Sequence, residues 1–171
     1  MSEIHIRPAE LQDHEAIWQI FHEVVQGGDT FAFSPDTPRE EALRMWTEAP
    51  KLTCVAETGG RIVGSYFIKD NQPGLGSHVC NAGYMVAGSA RGLGAGRAMC
   101  AHSLDEARRL GYTAMQYNIV VSTNSGAVAL WQSMGFTIVG TLPGAFRHAK
   151  LGPVDAYVMH RSLTDSSESA R

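Results

Sequence analysis

One short stretch of the chain, Arg91-Gly92-Leu93-Gly94-Ala95-Gly96-Arg97, combines three alternate glycines with two flanking arginines. Glycine at 92, 94 and 96 removes side chains from one surface, so that backbone N–H groups can converge on a single anion. A helix starting there adds its dipole to the same end. The strand-like Tyr84-Met85-Val86 leads into this loop and an alanine-rich helical pattern follows it. The chemistry such a strand–loop–helix unit offers is a pyrophosphate cradle, with Arg91 and Arg97 adding positive charge nearby. The other reading of the same glycines is a turn made only for close helix–strand packing. Two nucleotide sites fail on register. A dinucleotide fingerprint needs glycine or alanine where Arg97 stands, and no G-x-x-x-x-G-K-[ST] string occurs anywhere in the chain.

The elements that must hold this loop can be read on either side of it. Asp13 is a cap for a first helix in which Ile17, Ile20, Phe21, Val24 and Val25 recur at helical spacing, and Gly27-Gly28 ends it. Thr37 and Glu40 have the spacing of a capping box, with Pro38 at the first position of a second helix whose Leu43 and Trp46 face the core. Segments 53–57 and 61–68 flank Thr58-Gly59-Gly60 as a hairpin, and 71–76 is a Pro/Gly loop. A strand over 78–86 then precedes the glycine loop, whose helix runs through Ala98, Ala101, Leu104 and Ala107 to Gly111. Residues 112–121 read as a strand. Asn124 caps a helix carrying Ala127, Leu130, Trp131 and Met134 that Gly135 closes, and strands over 136–141 and 154–163 complete the pattern. This succession predicts a single α/β or α+β sheet domain over residues 1–163, with a polar tail at 164–171.

With these motifs in place the chain resembles the GCN5-related N-acetyltransferase superfamily. Arg91-Gly92-Leu93-Gly94-Ala95-Gly96 matches its R-x-x-G-x-G pyrophosphate loop. Asn124-Ser125-Gly126-Ala127-Val128-Ala129-Leu130-Trp131-Gln132-Ser133-Met134-Gly135-Phe136 is similar to its second signature, N-x-x-A-x-x-L-[YW]-x-x-x-G-F. The resemblance implies a mixed, mostly antiparallel sheet with a splayed central strand pair and helices on both faces. It implies acetyl-CoA as co-substrate, held by the backbone of Met85 and Val86, by Arg91, Gly92, Leu93, Gly94, Ala95, Gly96 and Arg97, and by Asn124. It implies no metal, and it suggests a homodimer. A narrower resemblance, carried by Val79–Tyr84, Tyr117–Val120 and Thr123-Asn124, is to the subgroup that acetylates proline analogues such as azetidine-2-carboxylate. In that subgroup Asn81 and Asn118 match asparagines assigned to recognising and positioning the substrate. Gly28–Phe33, with Phe31 and Phe33, resembles its substrate-covering segment.

Neutral amides on strands suit that task, because an asparagine supplies a donor and an acceptor without burying a charge. Asn81 and Asn118 are equally readable as structural amides bonding the sheet backbone. Acyl transfer needs a neutral amine, a polarised thioester carbonyl and a leaving thiolate. A strand N–H near Val86 can polarise the carbonyl. The position where many relatives place a tyrosine acid is Trp131, whose indole is donor-only. Tyr84 and Tyr117 are the phenols nearest to hand. Glu23, Asp29, Asp155, His22, His78 and His148 are base candidates by type alone, and a water carrying the proton outward is as consistent. Cys80 and Cys100 read as small buried apolar residues, and no Cys/His spacing specifies zinc.

Composition bounds the rest. The chain has 171 residues, 44% of them hydrophobic, and a formal net charge of −3. That excludes a disordered chain and gives no global positive field to recruit nucleic acid or anionic membrane. No apolar run approaches the ~20 residues of a spanning helix. Three widely spaced cysteines suit a reducing compartment, and the expected location is cytoplasmic. The expected activity is transfer of acetyl from acetyl-CoA to a small-molecule amine, such as an amino or imino acid or a toxic analogue. Acetylation of a protein amine and a catalytically silent CoA-binding sensor are the alternatives.

Overall fold

A computed structural model describes residues 3–164, so most of the expected tail at 164–171 lies outside the described residues. Seven strands form one sheet in the order β1-β2-β3-β4-β5-β7-β6, with β1 His5–Pro8, β2 Leu52–Thr58, β3 Arg61–Asp70, β4 Val79–Val86, β5 Ala114–Val121, β6 Thr137–His148 and β7 Gly152–Ser162. All neighbours pair antiparallel except β4 and β5. Helices α1 His14–Gly27, α2 Arg39–Leu43, α3 Ala95–Arg109 and α4 Ser125–Ser133 complete the chain, and a wide helical turn, Arg44–Glu48, extends α2.

Side-chain alternation along β3 decides which helix each face receives. Ser65 points to one face, where its hydroxyl accepts from the Trp46 indole at 2.9 Å and Phe67 meets the same ring edge-on at 4.8 Å. Gly64 and Tyr66 point to the other, where Met99 of α3 packs on the glycine and the Tyr66 hydroxyl bonds His102 Nδ1 at 2.7 Å. The expected two-faced mixed sheet is therefore present, and Leu43 and Trp46 are core residues as anticipated, at 7% and 1% exposure.

Three local expectations need correction. Asp13 does not cap α1. Its carboxylate accepts from both Arg7 amine groups, at 2.7 and 2.9 Å, and from the Glu10 N–H, which forms a tight turn at residues 11–13 just before the helix. The box between Thr37 and Glu40 does not form either. The Thr37 hydroxyl donates to the Ser34 carbonyl at 2.6 Å, a local bond that competes with capping, and the helix begins at Arg39 behind Pro38. The last hairpin is longer than the expected 136–141 and 154–163. Strand β6 continues through Pro143 and past an irregularity between Leu142 and Phe146, because proline is tolerated on an edge strand. Strand β1, around which Ile4 and Ile6 alternate with His5 and Arg7 over too short a run to stand out, was not anticipated.

Candidate active site

The site begins where β4 and β5 part. Their parallel pairing covers only Val79↔Ala114 and Cys80↔Met115. Beyond it β4 stays paired with β3 up to Val86, while β5 turns toward β7 through a one-residue irregularity between Tyr117 and Val120. Such bulges re-aim side chains, and this one spans Asn118 and Ile119. Along β4, Asn71 N–H bonds Val79 O and Ala87 N–H bonds Val63 O. The antiparallel ladder therefore turns the backbone of 79, 81, 83 and 85 to β3 and leaves that of 82, 84 and 86 facing the opening. Of the expected pair, Val86 offers its N–H and C=O to the gap, whereas Met85 spends its own on Ser65 and contributes a buried side chain to the wall.

One cavity of about 990 Å³ runs through this gap. At one end lies the glycine loop. Gly92 and Gly94 have φ of 77° and 84°, and a Cβ on either would point into open space. Gly94 also starts α3 without any side-chain cap. The first α3 amides therefore keep their N–H groups for a bound anion, as a phosphate-binding helix end requires. These residues fit a pyrophosphate. Arg91 is exposed beside them, with Leu93, whereas Arg97 reaches α4, bonding Ser133 Oγ at 2.9 Å and Met134 Sδ at 3.3 Å. Asn124 caps α4 as expected, its side-chain oxygen accepting from Ala127 N–H at 3.3 Å. Glu23 of α1, a base candidate from the sequence, instead anchors the loop entrance by accepting from Gly88 N–H at 2.9 Å.

The other end is lined by Phe31, Phe33, Phe67, Lys69, Asn81, Gly83, Asn118 and His148, among others. Phe31 and Phe33 stack at 5.8 Å, and Phe31 meets Trp46 edge-on. They line the cavity and also pack on the core. Asn81 Nδ2 donates across the parting strands to Gln116 O at 3.0 Å, which leaves its Oδ1 as an acceptor at the junction. Asn118 is held by Asn71 and Gln116 at 2.7 and 3.0 Å. Both asparagines thus carry structural bonds and line the cavity.

Tyr84 and Tyr117 sit on the α3 side of the gap. Ser103 donates to Cys100 O at 2.7 Å, so Tyr84 must donate to Ser103 at 2.6 Å, and Tyr117 donates to Tyr84 at 3.0 Å. Each of these three hydroxyls thus has an acceptor within the buried cluster, and both tyrosines also line the cavity. Burial pushes both phenols well above their usual range. The Trp131 ring leans on both, at 4.9 and 5.1 Å. Cys54, Cys80 and Cys100 are buried thiols, and burial raises Cys80 to about 12, as inert packing residues should behave. Of the other base candidates, Asp155 bonds Gly144 N–H at 3.0 Å and His22 lies against Trp18; only Asp29 and His148 line the cavity. Among the described residues no group of three His, Cys, Asp or Glu could hold a metal. Lys69 was not anticipated, and Thr30 was named only within the Gly28–Phe33 segment. The signal for Lys69 was its register opposite Asn81 in the β3–β4 ladder, which sequence alone does not align.

The chain is similar over its length to known acetyltransferases. A GCN5-related N-acetyltransferase from Kribbella flavida superposes with a TM-score of 0.89 at 44% identity, covering 93% of this chain and 97% of that one. The putative acetyltransferase yncA of Salmonella typhimurium, solved with its cofactor acetyl-CoA, superposes with a TM-score of 0.81 at 24% identity, covering 96% of each chain. The N-acetyltransferase aca1 of Schizosaccharomyces pombe is 38% identical over 98 residues, which is 57% of this chain and 47% of that protein. This chain thus matches about half the length of that curated relative. Residues 14–136 match the acetyltransferase (GNAT) family, a span that holds the gap, the glycine loop and α4, and the chain belongs to that family.

Proposed function

We propose that this protein transfers the acetyl group of acetyl-CoA directly to the amine of a small molecule, an amino or imino acid or a toxic analogue of one. The observation that carries the reading is the single cavity, which joins the anion-binding loop at one end to the asparagine- and phenylalanine-lined chamber at the other, with the free edge of β4 between them. Residues 92–97 and Asn124 bind the nucleotide end, and Val86 pairs with the pantetheine arm. The acetyl thioester, as co-substrate, supplies the activated acyl group.

The residues of the chain then have defined tasks. The Val86 N–H polarises the thioester carbonyl and stabilises the oxyanion that develops on it. Asn81 Oδ1 accepts from the acceptor amine and aims its lone pair. A water in the open cavity takes the amine proton. The thiolate departs as such, since a thiol of pKa about 8.5 is a tolerable leaving group and the protons of the two phenols are engaged in the Tyr117–Tyr84–Ser103 hydrogen bonds. Trp131 fits this scheme as a packing residue that fills the wall.

Thiol release from acetyl-CoA tests the proposal, with azetidine-2-carboxylate, methionine sulfoximine, phosphinothricin and a lysine peptide as acceptors. Turnover of a small acceptor, lost in Asn81→Ala while acetyl-CoA binding persists, is the expected result. Turnover of the peptide alone would make the acceptor a protein amine. Acetyl-CoA binding without release would make this a sensor. No binding would overturn the cradle itself.

A further inference from the structure

Resting on the small-molecule reading, we propose that His148 and Lys69 form an anion clamp in the acceptor chamber. They would read a carboxylate, or an equivalent oxyanion, on the molecule being acetylated. His148 closes β6 at the tip of the last hairpin and is one of the residues lining the cavity. Its Nδ1 accepts two backbone bonds, from Lys150 N–H at 3.1 Å and Leu151 N–H at 3.3 Å. An imidazole nitrogen that accepts carries no hydrogen, so in the neutral ring the proton sits on Nε2. The turn thereby fixes one tautomer and turns the Nε2–H away from the hairpin backbone, and in the clamp this is the donor that meets the bound oxyanion.

The hairpin tip is itself held in place. Ala149 N–H bonds Gly28 O at 2.9 Å, and a Cβ on Gly28 would lie 2.7 Å from that of Ala149, so the tip seats directly on the segment that ends α1. That segment continues into Thr30, whose hydroxyl is the one buried side-chain oxygen or nitrogen without a hydrogen-bond partner among the described residues, and which also lines the cavity. Unsatisfied buried hydroxyls are costly, and one in a chamber wall points to a polar guest. Lys69 stands on the rim opposite Asn81, its ammonium 5.4 Å above the Phe67 ring. Asn81 Oδ1 at the strand junction takes the amine. The positive and donor groups on the rim and hairpin then face the other end of a short amino or imino acid. Asp29 is the carboxylate of this chamber, and its Oδ1 would lie 3.1 Å from a Cβ on Gly27, turned back toward α1.

The test uses matched acceptors, azetidine-2-carboxylate against azetidine and proline against pyrrolidine, on the full chain and on His148→Ala, His148→Gln and Lys69→Ala. The expected outcome is that the kcat/KM ratio of acid over decarboxylated amine falls about tenfold or more in His148→Ala, through KM rather than kcat. It recovers in part in His148→Gln, which keeps a side-chain N–H donor, and falls several-fold in Lys69→Ala, an exposed site whose folding is not at risk. An unchanged ratio in the His148 and Lys69 variants, with small amines still acetylated, overturns the clamp and leaves the small-molecule reading standing. Acetylation confined to peptides overturns both. A readout independent of turnover is the imidazole nitrogen spectrum of protein labelled with nitrogen-15 histidine. His148 should appear as the Nε2–H tautomer, and its Nε2 signal should shift with azetidine-2-carboxylate and not with azetidine. An Nδ1–H tautomer, or an Nε2 signal that azetidine-2-carboxylate leaves in place, overturns the clamp whatever the kinetics show.

Discussion

The buried hydroxyls beside the cavity decide how the leaving group departs. A serine bonded to a carbonyl has only one way to point, and that single choice propagates. Ser103 gives its proton to Cys100 O, Tyr84 gives to Ser103, and Tyr117 gives to Tyr84. A general acid is worth roughly 10²–10⁴-fold, so removing one should be obvious in the rate. Here Tyr84→Phe and Tyr117→Phe should each keep kcat within about tenfold of the parent enzyme. Losses of hundredfold or more in either would show that the chain reorients and donates to the thiolate. The alkaline limb of the pH profile gives the same information without mutation. Protonation of a leaving thiolate by a phenol would make kcat fall as the phenol ionises. The hydrogen-bond arrangement predicts a kcat that rises as the amine deprotonates and then stays level, up to the pH where the protein unfolds.

Elements position these residues through backbone geometry, and there the glycine loop is the sharpest case. Gly92 and Gly94 hold φ of 77° and 84°, where a side chain costs roughly 1–2 kcal/mol, yet neither would clash with a neighbour. Gly94→Ala should therefore raise KM for acetyl-CoA about tenfold or more while lowering the melting temperature only modestly. An unchanged KM would remove the cradle assignment. The loop and α4 were legible in the sequence because local chemistry defines them. Glycine spacing and the Asn124 cap need no distant partner. Asn118 was legible as a residue but not as a geometry, since its aim is set by a bulge that appears only when β5 pairs with β7. Lys69, and the role of Thr30 within the Gly28–Phe33 segment, were illegible for the same reason. One is brought opposite Asn81 by strand register, and the other matters only because nothing satisfies its hydroxyl. Glu23 shows the converse, a carboxylate whose type suggested a base and whose place on α1 makes it the anchor of Gly88. Competing bonds also took both expected side-chain caps, with Ser34 drawing off Thr37 locally and Arg7 of β1 drawing off Asp13.

At the scale of the whole molecule, the Arg7–Asp13 pair ties the edge strand β1 to the turn that launches α1, and Glu57 adds a contact from β2 at 3.3 Å. Asp13 is 3% exposed, and its charge is matched by the Arg7 guanidinium and the Glu10 N–H. The Arg7 side chain holds the Asp13 carboxyl below the usual carboxylate range. A carboxyl depressed on folding stabilises the native state above its unfolded value, about 3.9, and that contribution disappears as pH falls through the lower folded value. Asp13→Asn breaks a charged bidentate bond but leaves Arg7 with Glu57 and partial solvent, so the cost should be about 2–3 kcal/mol near neutral pH. In a domain of this size that is roughly 4–12 °C of melting temperature. The deficit should shrink as pH falls below about 4, because the parent protein then loses the same interaction by protonation. The pair lies outside the cavity, so kcat/KM at a temperature where both proteins are folded should match the parent. A deficit that persists undiminished to pH 2 would mean that packing around the side chain, rather than its charge, holds the edge strand to the helix.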